Sequence, residues 1–125
     1  MESEWKLIHV YTRAQALADG VLVDASRLAP EAGFKVPVAL TAAAWELCVT
    51  VPSGAKAAQD ETGRLWDVLM MCRYAIRGQK LEECDLRFGL AVVTGRGSEL
   101  VTLKAVMGPG DDGRPCLTIM LPEED

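Results

Sequence analysis

The chain holds one histidine, two tyrosines and two phenylalanines in 125 residues. So small a stock of imidazole means that any Ser-His-Asp or Cys-His site would have to be built around His9. That residue stands inside the strand-like run WKLIHVY and reads as a partly buried strand histidine. Positive charge is also short, since 13 Lys and Arg against 18 Asp and Glu give a net charge of -5. That balance excludes nonspecific binding to nucleic acid or to an anionic membrane, which relies on Lys and Arg displacing counterions from phosphates. No apolar run approaches the ~18 residues needed to span a bilayer. The opening MESEWKLIHV lacks both the basic and the apolar region of a secretory signal, so a cytoplasmic location is expected. Close cysteine pairs are missing as well. Cys48, Cys72, Cys84 and Cys116 never approach the spacing at which one tight turn presents two thiolates. The expectation is four reduced thiols packed as small apolar groups, with no metal and no cofactor.

What is present is ordinary globular material, 50% hydrophobic and 25% charged, in keeping with a single domain over residues 1–125. Trp5 to Tyr11 reads as a strand. Thr12, with Gln15 three positions on, has the spacing of a capping box and opens a short helix stopped by Gly20. VLVD is strand-like, Ser26 to Ala32 suits one or two helical turns ended by Gly33, and Pro37 keeps the next segment extended. Thr41 caps the alanine-rich TAAAWELCV, which halts before Pro52, and VPSGAKAAQDE is loop-like.

The longest helical signal is TGRLWDVLMMCRYAIRG, with Thr62 as N-cap and Gly78 beyond its end. Leu65, Val68, Leu69, Cys72 and Ile76 recur on one face, which is the core side. About 100° of rotation per residue gathers Trp66, Met70 and Tyr74 on another side, near Arg73 and Arg77. A helix apolar on nearly two faces is either sandwiched in its own fold or offered to a partner. Packing is the commoner use of such a stripe, while its composition suits an interface with a protein partner or a second copy of the chain.

Beyond a polar link the period changes from helical to alternating. Leu86, Phe88, Leu90 and Val92 point one way, as do Val101, Leu103 and Ala105, and then Leu117, Ile119 and Leu121. The turns GRGSE and GPGDDGRP separate the three runs in the manner of an antiparallel meander. GPGDDG, Gly108 to Gly113, also spells the G-x-G-x-x-G of dinucleotide sites. Such a site needs a strand before the glycines and a helix after them, whereas strands lie on both sides here. The loop is therefore expected to be a hairpin connection that binds no nucleotide. Asp111 with Asp112, and Glu82 with Glu83 and Asp85, read as solvated carboxylates, and the tail PEED as an exposed acidic end.

The segments YTRAQALADGVLVD, QDETGRLWDVLMMCRYAIR and LVTLKAVMGPGDDGRPCLTIMLPEED resemble a family of small proteins of unknown function from bacteria, their plasmids and their phages. The resemblance implies a stand-alone bacterial protein, often on mobile DNA, and supplies no catalytic residues. The leading expectation is an α+β fold. A three- or four-stranded antiparallel sheet, the C-terminal meander, would be packed by the Thr62 to Arg77 helix and shorter N-terminal helices. Such a protein would act by binding another macromolecule, as an accessory or inhibitory factor of a mobile element. The alternative is a small enzyme whose site would combine Tyr11, Thr12 and Arg13 with Asp24 and Asp67.

Overall fold

The computed structural model describes residues 11–52, 60–77 and 85–124. Of the expected strand at Trp5 to Tyr11 only Tyr11 is described, and it belongs to no strand; of the expected loop VPSGAKAAQDE, residues 53–59 lie outside the described residues and Glu61 belongs to the helix that follows, and His9, Gly78, Glu82, Glu83 and Cys84 also lie outside the described residues. The elements in chain order are α1 (Arg13–Ala18), β1 (Leu22–Asp24), β2 (Val38–Thr41), α2 (Ala42–Cys48), α3 (Glu61–Ile76), β3 (Asp85–Thr94), β4 (Gly97–Pro109) and β5 (Pro115–Met120).

Alternation over Leu86–Val92, Val101–Ala105 and Leu117–Ile119 builds the meander β3–β4–β5, antiparallel throughout, as its short polar turns require. The sheet does not stop there, which corrects the expected three or four antiparallel strands. Among the described residues it has five strands, in the order β1-β2-β5-β4-β3, and is mixed, because β2 runs parallel to β5. β1 then closes the far edge antiparallel to β2. The two added strands are only three and four residues long, and what holds β2 is a neighbour far along the chain.

The registers sort the side chains cleanly. Val38, Leu40, Leu117, Ile119, Leu103, Ala105, Phe88 and Leu90 share one face and are all buried. That face is covered by α2, by α3 and by the turns of residues 25–34, whose Ala25, Ala29, Ala32 and Phe34 join the same core. The segment from Ser26 forms successive turns and no regular helix, and it ends at Gly33 with φ +101°. α1 serves the other face, where Arg13 reaches Thr118.

α3 buries the side that its periodicity marks out: Leu65, Val68, Leu69, Cys72 and Ile76. Its start differs from expectation by two residues. Asp60, and not Thr62, is the N-cap, its carboxylate accepting the Gly63 N–H at 2.7 Å. A carboxylate at this position satisfies an orphan donor and also meets the positive end of the helix dipole, which a hydroxyl does not. Arg64 opens the buried stretch. Its guanidinium donates to the Val49 carbonyl at the end of α2 (3.2 Å) and to the Val93 carbonyl in β3 (2.9 Å), tying three elements together.

Gly33 is fixed twice over: its φ lies where side chains are strained, and a Cβ there would stand 3.0 Å from Arg73 Nε. Gly33→Ala is expected to lower the unfolding free energy by about 1–3 kcal/mol, read by chemical denaturation, because the backbone strain remains even if Arg73 moves aside.

Candidate functional site

The glycine loop is the first place to look, and its geometry answers the dinucleotide motif directly. It joins β4 to β5, with Pro109 paired to Pro115 across the hairpin and Gly113 at φ +82°. Asp111, expected to be solvated, is exposed and also reaches back to α1. Its Oδ1 accepts the Arg13 N–H at 2.8 Å and its Oδ2 the Ala14 N–H at 2.9 Å. Thr12 Oγ1 takes the Gln15 N–H and Gln15 Oε1 takes the Thr12 N–H, both at 3.0 Å, completing the expected capping box. Every backbone donor from Thr12 to Gln15 is thereby satisfied by a side chain. In a dinucleotide fold a helix N-terminus beside such glycines holds a phosphate. Here the loop's own carboxylate takes up the N-terminal donors of α1.

The residues of the candidate enzyme site are not brought together. Tyr11, Thr12 and Arg13 border a cleft of about 510 Å³ with Leu22 and Asp111. Arg13 is committed to the fold, since Nη1 donates to Thr118 Oγ1 at 2.8 Å and Nη2 to the Leu117 carbonyl at 2.9 Å. The Tyr11 hydroxyl donates to Asp19 Oδ2 at 2.5 Å, and that bond to a carboxylate is the main reason its pKa is raised. Asp24 lines a different cleft, of about 490 Å³, with Arg27, Glu31, Trp45, Glu61 and Leu65. Its Oδ1 accepts the Ser26 N–H at 3.0 Å, turning the chain out of β1. Asp67 is exposed on α3 and borders neither cleft.

The stripe on α3 is graded in exposure. Trp66 and Met70 are half-buried and pack against the core, Arg73 is half-buried beside Gly33, Tyr74 is 59% exposed and Arg77 is exposed. Met71, on the same helix, is also exposed.

Two polar residues were missed by sequence reasoning. Glu124, taken for part of a free acidic tail, is docked on the sheet. Its Oε2 accepts from Thr41 Oγ1 at 2.7 Å and from the Leu121 N–H at 2.8 Å, and its carbonyl accepts from Lys104 Nζ. Arg64 was hidden for a different reason. It sits next to Leu65 and four residues before Val68, so a buried position was legible, but an arginine there reads as surface. Cys48, Cys72 and Cys116 are buried and form no disulfide with one another, and no cluster of metal-ligating side chains occurs among the described residues. Burial pushes the Cys48 thiol up to about 11, with the nearby Arg64 charge opposing that shift in part.

These features define an α+β protein with a mixed five-stranded sheet whose glycine loop is a structural clasp, and no helix among the described residues is long and apolar enough to cross a membrane. The chain belongs to a Family of unknown function (DUF6573), matched over residues 3–125. No curated protein and no solved structure matches it.

Asp111→Ala should cost about 0.5–2 kcal/mol in urea denaturation, the usual range for a lost helix cap. Cys48 supplies a pH test. A thiol whose pKa is raised from 9.0 to about 11 in the folded chain binds its proton more tightly there than in the unfolded one, so stability falls as pH rises from 9 to 11. Melting curves across that window should slope down, and Cys48→Ala should remove part of the slope.

Proposed function

We propose that the protein acts by binding another protein through the outer side of α3, with Tyr74 at the centre and Arg73, Arg77 and the exposed edges of Trp66 and Met70 around it. The observation that carries this reading is the exposure of Tyr74, 59%, on a helix whose opposite side is fully buried. An exposed aromatic set among half-buried apolar side chains and flanked by arginines has the composition of an interface centre. The two cations favour a partner segment that is apolar with acidic flanks. The resemblance to proteins of plasmids and phages supports a partner from host or phage machinery, for which the chain would be an accessory or inhibitory factor. The small-enzyme alternative is weakened by the separation of Arg13, Asp24 and Asp67 into three places.

Two variants on the same helix separate surface from core. Tyr74→Glu replaces an exposed side chain and should leave the unfolding free energy within about 0.5 kcal/mol, whereas Met70→Glu disturbs packing and should cost more. A photo-crosslinking residue at position 74, introduced in the native host, should capture a defined protein. Arg77→Glu should reduce that capture at least about tenfold. Capture that is indifferent to Arg77→Glu, or no crosslink at all, would remove the proposed surface.

A further inference from the structure

The two edges of the sheet are treated differently by the sequence. β1 ends one side after three residues and is packed by α1. Among the described residues β3 ends the other side and runs for ten residues, from Asp85 to Thr94, with no proline, no lysine and no bulge in its register with β4. These are the devices that ordinarily keep an edge strand from pairing with another chain.

The direction of its free backbone groups follows from the hairpin. Thr94 pairs with Gly97 across the two-residue turn Gly95–Arg96, and the closing pair of such a turn exchanges both of its hydrogen bonds. Val92, Leu90, Phe88 and Leu86 therefore share that inward direction. The alternate residues Arg87, Gly89, Ala91 and Val93 turn their N–H and C=O groups to the outer edge. The Val93 carbonyl fits this assignment, since it accepts from Arg64 and so faces away from β4. Beside the remaining outward groups no strand is present among the described residues. Leu100, at 82% the most exposed large apolar side chain among the described residues, stands next to this edge, paired with Ala91 and touching the space above Gly89.

We propose that β3 pairs with β3 of a second copy, antiparallel about a two-fold axis at Leu90, to give one continuous sheet across two chains. A closed two-fold contact between identical strands has to be antiparallel, and the sequence suits that arrangement. Gly89 falls opposite Ala91 of the second copy, leaving a shallow trough of small residues between the two Leu100 side chains. Arg87 meets Val93 and not another Arg87. Asp85 comes against the hairpin tip of the second copy, where Arg96 is exposed, so each end of the junction joins opposite charges. This surface is distinct from the outer side of α3, and the dimer does not depend on that reading.

Sedimentation of the full chain at roughly micromolar to tens-of-micromolar concentration, the range of modest homodimers, should give twice the chain mass. Amide exchange at Gly89 and Ala91 should slow as concentration rises. Ala91→Pro removes only an outward N–H, so it should keep the melting curve and return the chain to a monomer. If that variant melts early, Ala91→Lys decides: it places like charges on both sides of the axis at an exposed position and should weaken the dimer at least about tenfold. Tyr74→Glu should leave the mass unchanged. A monomeric wild type, or a folded Ala91→Pro or Ala91→Lys chain that dimerises as before, would overturn the proposal.

Discussion

The parallel pairing of β2 with β5 is the junction on which the rest of the molecule depends. β1, α1 and the turns of residues 25–34 belong to one end of the sheet and the meander to the other, α2 reaches across from β2 to β3, and among the described residues β2 is the only strand of the first group that pairs with the second. The polar side chains recognise the same line. Arg13 crosses it to Thr118 and Leu117, Asp111 crosses it to the start of α1, and Glu124 crosses it to Thr41. Asp111 and Glu124 in this way satisfy groups at a helix end and a strand end, where unpaired donors and acceptors cost most, while Arg13 anchors α1 to the middle of β5.

Arg64 performs the same task on the helical side. A buried guanidinium costs a great deal to desolvate, and it is tolerated when its donors meet acceptors. The Val49 and Val93 carbonyls are such acceptors, at the end of α2 and near the end of β3. One side chain thus fixes the angle between α2, α3 and the edge strand. Its charge also opposes part of the upward shift of the Cys48 thiol. The polar residues that a sequence reader reaches for first as catalytic or solvated, Arg13 and Asp111 among them, turn out to be spent on holding the two groups of elements together.

What was legible in the sequence was local. The capping box at Thr12, the cap at Thr41, the buried stripe of α3 and the three alternating strands depend on residues a few positions apart, and all appear where the pattern puts them. The N-cap of α3 was misplaced because Asp60, Glu61 and Thr62 offer neighbouring caps, and only geometry selects the carboxylate. The rest was not legible because it depends on distant partners. Nothing in VALT announces that β2 will lie beside CLTIM, and a carboxylate in a glycine turn gives no sign of the helix it will cap. The candidate site suffered in the same way. Tyr11, Arg13, Asp24 and Asp67 share a chemistry that invites grouping, but they sit on elements that the topology sends to different places. The approach of Gly33 to Arg73 on the α3 stripe likewise depends on a distant segment that no helical wheel contains.

Native-state hydrogen exchange tests the central claim most directly, because it reads whether the two groups of elements open separately. If the β2–β5 junction makes them one unit, the amides of Leu40 in β2, Leu103 in β4 and Ile119 in β5 should exchange with the same free energy, equal to that of global unfolding. Fast exchange at Leu40 while Leu103 and Ile119 stay protected would show that the meander folds without its N-terminal half, and would contradict the junction as the organising feature of the fold.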